Sequence, residues 1–225
     1  MDHSIYTLKA GINRCYLLKG KNGMVLIDAG QPNSGKKFAR QLNKLQLSPK
    51  DIRLIVLTHG DFDHAGSAKE LKAMTGADVA IHKEDREMIE RGIFSWAPGV
   101  TAWGKISRSV FYPLMRKMKI SRLKPDIILD NDGMFLDTYG LNGKIIHTPG
   151  HTTGSISVLL ETGDAFVGCM AHNFFLFTLK PRLPIYARDI DQLKQSWKTI
   201  IHLGAATIYP GHGNPFDVQK MMKYL

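Results

Sequence analysis

Short hydrophobic runs recur along the chain, and most of them end in a turn carrying Gly, Asp or His. Residues 13–18 and 24–29 read as two strands joined by Gly20-Lys21-Asn22-Gly23, a hairpin signal. Phe38, Leu42 and Leu45 keep helical spacing and predict a helix over 34–47, closed by Pro49. A strand over 52–57, a helix over 65–75 stopped by Gly76, and a short strand over 78–82 follow. Strand, loop, helix, strand is the rhythm of a layered α/β fold.

Between 92 and 125 that rhythm breaks. Phe94, Trp96, Trp103, Phe111, Tyr112, Met115 and Met118 are interleaved with basic residues, while Ile106, Val110, Leu114 and Met118 recur every fourth position. Pro113 interrupts this stripe, so two short helices are expected. The plain reading is an inserted helical pair whose apolar face packs on the core and whose lysines are solvated. The functional readings are a lid over a substrate pocket, a contact between two copies, or a basic apolar face for an anionic surface.

Beyond the insertion, apolar segments at 127–129, 134–136, 144–147, 156–160 and 165–167 are separated by turns such as Asn131-Asp132-Gly133 and Thr162-Gly163-Asp164. That pattern reads as a second, antiparallel sheet. Leu193, Trp197, Ile200 and Ile201 form the stripe of a helix over 190–203 with Asp189 as its cap, and 206–209 reads as a last strand.

Composition adjusts this picture in two places. The net charge of +10 suggests a nucleic-acid partner until it is located: between Arg91 and Pro125 stand eight Lys or Arg and no Asp or Glu, leaving 22 basic against 20 acidic residues elsewhere. No nucleic-acid motif accompanies the excess, so none is expected as a partner. Cys15 and Cys169 are too few for a disulfide framework, and Cys15 suits a core. No basic leader and no run of ~18 apolar residues is present, so a soluble, cytoplasmic protein with no transmembrane segment is expected. The 225 residues can bury one sizeable core as a single domain, 1–225, with the insertion at about 91–125.

The chemistry is concentrated at strand ends. Thr58-His59-Gly60-Asp61-Phe62-Asp63-His64 holds four metal-type ligands within six residues, directly after an apolar run. A loop that stays extended would point His59, Asp61 and Asp63 to one side and His64 to the other, able to serve two adjacent metals. The plainer reading is a polar turn in which Asp63 caps the next helix and the histidines are solvated. Against it stand His151, in Thr148-Pro149-Gly150-His151-Thr152, and His212, in Tyr209-Pro210-Gly211-His212-Gly213. Three separate strand ends each deliver histidine. Asp28 stands at a further strand end, whereas His82, His147 and His202 read as structural or surface residues. No Gly-x-Ser-x-Gly nucleophile motif occurs.

These three motifs resemble those of the metallo-β-lactamase superfamily, and the likeness covers nearly the whole chain apart from the insertion. The resemblance implies an α/β fold, an αββα sandwich of two mixed β-sheets flanked by helices. It implies one or two zinc ions, with iron or manganese as alternatives. The first metal would take His59, Asp61 and His151, the second Asp63, His64 and His212, and the bridging position falls at Cys169. Asp164 imitates the family's Thr-Gly-Asp motif but follows His151 too closely and suits a turn between strands. Asp28 resembles the family's structural aspartate.

Two positions depart from the usual pattern, which has histidine at Asp61 and aspartate at Cys169. A carboxylate at the first favours an oxygen-liking metal and a thiolate at the second favours zinc. The implied activity is that of a metallo-hydrolase whose nucleophile is a metal-bound hydroxide, held and relieved of its proton by Asp63. Glyoxalase-type members carry an extra carboxy-terminal segment for glutathione, and nuclease members add domains or arms, so neither is the first expectation. A small ester, lactone or thioester with an apolar portion suits the aromatic insertion, with Trp96, Trp103, Phe111 and His172 as candidate substrate contacts. A homodimer through 91–125 is a further expectation. The alternatives are a phosphodiesterase, or a non-hydrolytic metal-binding member serving as a redox, sensor or binding protein.

Overall fold

The computed structural model describes residues 3–93, 95–115, 120–173 and 180–225, with the side chain of Leu114 excepted. The expectations that rest on Phe94, Met118 and the Leu114 side chain lie outside the described residues.

Two six-stranded sheets pack face to face. The first holds β1 (Ser4–Ala10), β2 (Asn13–Gly20), β3 (Gly23–Ile27), β4 (Ile52–Val56), β5 (Asp78–His82) and β6 (Ile127–Leu129) in that order. Its first three strands are antiparallel and the rest parallel. Helices α1 (Gly35–Lys44), α2 (Phe62–Ala65), α3 (Ala68–Thr75), α4 (Arg86–Arg91) and α5 (Ala102–Met115) belong to this half of the sequence, and α6 (Ile190–His202) to the other. The second sheet holds β7 (Met134–Phe135), β8 (Gly143–His147), β9 (Ile156–Leu160), β10 (Asp164–His172), β11 (Thr207–His212) and β12 (Phe216–Asp217), with only β10 and β11 parallel.

Alternation explains the layering. In β2, Cys15 and Leu17 face the helices with Phe38, Leu42 and Leu71, while Tyr16 and Leu18 face the opposite sheet with Val158 and Phe166. Both faces of the first sheet are therefore covered, which is why its strands read as unbroken apolar runs. On the far side, Trp197 and Ile200 of α6 pack on Met170 and Ile208. Asp189 caps α6 by accepting from the backbone N–H groups of Asp191 and Gln192, as its position predicts.

Several expectations need correction. Residues 127–129 form β6, paired in parallel with β5, and so belong to the first sheet; their partner is 45 or more positions away and leaves no local signal. The helix expected over 65–75 is two, broken at Ser67, whose hydroxyl donates to the Gln31 carbonyl and accepts the Ser34 N–H. The strand β1 was not anticipated, since its outward positions are solvated. Pro113 does not break the chain where it stands: α5 runs through it as far as Met115, and 116–119 lie outside the described residues. The two described members of the stripe in α5, Ile106 and Val110, are exposed and do not pack on the core, while Ser107 faces inward. No described helix is long and apolar enough to cross a membrane.

Candidate metal centre

The parallel strands β3 and β4 end side by side, and the site begins there. The Asp28 N–H donates to the Val56 carbonyl, and Asp28 then adopts φ 63°, a left-handed conformation that aspartate tolerates better than most residues. Its Oδ1 accepts from the Thr58 N–H at 2.8 Å and its Oδ2 faces His64 Nδ1 at 2.7 Å. The loop after β4 is not extended. Its second half coils into α2, with Asp61 at the N-cap position but making no cap bond, and Asp63 within the first turn. The histidines are not solvated either, since His59 and His64 are buried. The plain capping reading therefore fails on both counts.

Coiling turns the ligands toward two neighbouring clusters. In the first, Asp61 Oδ2 lies 3.2 Å from His151 Nε2 and 3.6 Å from His59 Nε2. In the second, Asp63 Oδ2 lies 3.2 Å from His212 Nε2 and 3.8 Å from His64 Nε2. Cys169 stands beside both, its Sγ 3.2 Å from His64 Nε2 and grouped with the ring nitrogens of His59 and His64. All seven expected ligands are thus brought together. Asp164, by contrast, begins β10 at its other end, bonded to the Thr162 hydroxyl.

Two backbone features admit Cys169. Gly168 adopts φ 51° and breaks the register between β10 and β11, which swings the following residues toward the site. A side chain there would strike Thr58, and one at Gly211 would strike the His64 ring.

The tautomers are set from behind. His151 Nδ1 lies 3.0 Å from the Tyr186 carbonyl, which only accepts, so Nδ1 carries the hydrogen and the Nε2 lone pair faces the cluster. Asp28 does the same for His64. Asp85, which no sequence pattern marked, joins the two histidine loops: it accepts from the N–H groups of Gly60 and Gly154 and from the Thr152 hydroxyl. Its only clue was its place just beyond a strand end. Tyr186 was missed for the same reason, being distant in sequence from everything it supports.

Burial and charge are opposed throughout. Burial resists ionisation of Cys169, yet His64, His151, His212 and His59 hold its thiol well below the usual range. Burial likewise disfavours charged imidazoles, but Cys169 together with the carboxylates raises His64 and His151, and raises His212 to about 10. Asp63, despite burial, is lowered to about 2 by His64 and His212. The buried His59 Nε2 and Asp61 Oδ1 have no hydrogen-bond partner. Such atoms are rare and costly, and a cation between them would satisfy both while displacing the protons held by this mesh. The donor set fits a metal.

Above the clusters opens a cavity of about 560 Å³. Ile12, Phe62, Trp96, Trp103, Phe111, Met115 and Tyr186 form its walls; Asp61, Asp63, His151, Cys169, His172 and His212 also line it. All four expected substrate contacts, Trp96, Trp103, Phe111 and His172, therefore line one space with the clusters. The insertion is tied down through Tyr186, whose ring lies 4.8 Å from Trp96 and whose hydroxyl is 2.7 Å from Ser107 Oγ. His82 and His147 stack on each other at 4.0 Å, as structural residues, and the exposed His202 ends α6.

This fold and this convergence of ligands define the class: the chain belongs to the metallo-β-lactamase superfamily, whose sequence profile matches residues 8–212. Among its relatives, the uncharacterized protein Rv2581c of Mycobacterium tuberculosis is 33% identical over 206 residues, 89% of this chain and 85% of that protein. Hydroxyacylglutathione hydrolase GloC of Haemophilus influenzae is 26% identical over 171 residues, 75% of this chain and 71% of that protein. The crystal structure of ST1585 from Sulfolobus tokodaii, an archaeal metallo-β-lactamase superfamily protein, shares the fold with a TM-score of 0.72 at 22% identity, covering 99% of this chain and 84% of that one.

Proposed function

We propose that the protein is a metal-dependent hydrolase of small esters, lactones or thioesters. One observation carries this reading: Asp61 and His151 of one cluster, Asp63 and His212 of the other, and Cys169 beside both line a cavity whose remaining walls are mostly apolar. His59, Asp61 and His151 would hold one ion, Asp63, His64 and His212 a second, with Cys169 bridging. Bound metal supplies Lewis-acid chemistry, lowering the pKa of water and polarising the substrate's acyl oxygen.

The chain's own groups account for the rest. Asp63, an anion at neutral pH, accepts a hydrogen bond from the attacking water and takes its proton on its carboxylate. As the water oxygen bonds to the acyl carbon, the bond to the leaving oxygen or sulfur breaks and that proton passes to the leaving group. Trp96, Trp103 and Phe111 exclude bulk water and hold the apolar part of the substrate. The hydroxyacylglutathione hydrolase GloC, named for cleaving an acyl conjugate of glutathione, supports thioesters within this class. Cys169 favours zinc and Asp61 an oxygen-liking ion such as manganese or iron. Two free cysteines suit a reducing compartment, so we place the protein in the cytoplasm. The exposed Ile106 and Val110 of α5 offer a contact to a second copy.

The test is metal content followed by turnover. The metal-free protein is reloaded with zinc, manganese or iron(II), and thioesters, lactones and phosphodiesters are offered. Metal-dependent hydrolysis of a thioester or lactone is expected, abolished in Asp63→Ala, with His151→Ala and His212→Ala each retaining about one ion. A fully loaded protein that cleaves none of the three classes would move the non-hydrolytic reading ahead, and cleavage of phosphodiesters alone would make the protein a phosphodiesterase.

A further inference from the structure

Three residues beyond Cys169 on β10, His172 raises a question that the two clusters leave open. Its ring is buried, with 8% of the residue exposed, and its Nε2 has no hydrogen-bond partner. On a regular strand, residues three apart face opposite sides, so Cys169 and His172 should not share a site. Here the register between β10 and β11 shifts a second time between Gly168 and His172, and the two side chains come to the same side. The donor atoms of Cys169, His172 and His212 lie within 4.8 Å of one another, and the rings of His172 and His212 meet edge to face at 4.9 Å. The backbone there is held on both sides. His172 exchanges both of its hydrogen bonds with Arg182, at 3.1 Å each, and pairs with His212 across β10 and β11. The backbone that carries the ring is therefore held by β11 on one side and by the Arg182 bridge on the other.

We propose that His172 is an additional protein donor to the second metal position, which it completes with Asp63, His64, Cys169 and His212. This rests on the metal-centre reading above. Its consequence is asymmetry. The first position has His59, Asp61 and His151, with Cys169 shared between the two. The second becomes crowded with imidazole and thiolate, a set that prefers zinc or cobalt(II) to manganese. Water and substrate then enter at the first position, over Asp61 and His151.

Cobalt(II) binding to the metal-free full-length protein tests this without reference to turnover. Stoichiometry comes from equilibrium dialysis, and the ligand set from the visible d–d bands and the near-ultraviolet thiolate charge-transfer band. The parent should take two ions. In His172→Ala and His172→Gln, each checked for parental circular dichroism, one of the two affinities should fall by at least on the order of tenfold, the scale of losses seen when support for a ligand is removed. The d–d bands should change while the thiolate band persists. Two parental affinities and superimposable spectra in both variants would overturn the proposal, leaving His172 as a wall of the cavity and the hydrolase reading intact. No cobalt in the parent would overturn both. Weakened binding in the variants of a parent that hydrolyses nothing would uphold His172 as a ligand and sink the hydrolase reading alone.

Discussion

Asp28 Oδ2 stands 2.7 Å from Nδ1 of His64, behind the second cluster. A carboxylate only accepts, so it fixes the hydrogen on Nδ1 and leaves Nε2 free to bind metal. Asp28→Asn keeps the size and tolerates the same left-handed backbone, but its amide can donate to Nδ1 and drive the hydrogen onto Nε2. Metal affinity should fall about 10–100-fold with little loss of fold. Competition with a chromogenic chelator measures it, and parental affinity in Asp28→Asn would refute the tautomer argument.

Asp85 acts on stability as well as on geometry. Its carboxylate is the shared acceptor for the Gly60 and Gly154 N–H groups and the Thr152 hydroxyl, all buried. Asp85→Ala strands these donors and separates the loops bearing His59 and His151. A loss on the order of 3 kcal/mol is expected, since each buried unpaired donor costs ~1–3 kcal/mol. Urea unfolding of the metal-free protein reads it directly. A change below about 1 kcal/mol would mean that water replaces the carboxylate.

What could be read from the sequence followed from what is local. His59, Asp61, Asp63 and His64 are near neighbours, and His151 and His212 each sit in a Pro-Gly-His turn after an apolar run, so their recurrence at strand ends was visible without coordinates, while their grouping into ligand sets came from the family resemblance. Unbroken apolar runs also exposed most strands, because burial on both faces removes the alternation. Asp85 and Tyr186 escaped because their partners are loops far away in the chain. His172 could only be a weak candidate, since a regular strand would have turned it from Cys169 and only the bulges in β10 bring it back. The insertion misled in the opposite direction. The four-residue stripe of Ile106 and Val110 is real, but periodicity cannot tell a face that packs on the core from one left exposed.

Asp126 gives the fold a pH dependence of known sign. Its carboxylate accepts from Lys72 Nζ of α3 at 2.5 Å and from the Val79 N–H of β5 at 2.8 Å, clipping the start of β6 in place. Burial opposes ionisation, but these two bonds prevail and lower its pKa. A carboxylate depressed in the folded state stabilises above its unfolded value, about 3.9, and that contribution is lost as pH falls through the lower folded value. Asp126→Asn should therefore be less stable than the parent at pH 7, by under about 1 kcal/mol because the pair is partly solvated. The gap should close in acid. A gap of constant size from pH 7 down to the acid limit would show that the charge plays no part.

The two cysteines should differ sharply in reactivity. Burial pushes the Cys15 thiol well above its ordinary range, reinforced by Asp28 and Asp63, and Cys15 lies in the layer between the first sheet and its helices. Cys169 is nearly as buried, but four histidines hold it as a thiolate and it lines the open cavity. The thiolate is the reactive form. A small alkylating reagent at pH 7 should give the metal-free protein one adduct, at Cys169, on a timescale in which Cys15 stays unmodified. Zinc or cobalt should suppress that adduct, because a metal-bound thiolate shares its electron pair with the ion. Peptide mass mapping with and without metal decides the matter. Alkylation at Cys169 that proceeds unchanged in the loaded protein would remove Cys169 from the ligand set, and the bridging role assigned to it would fall with that result.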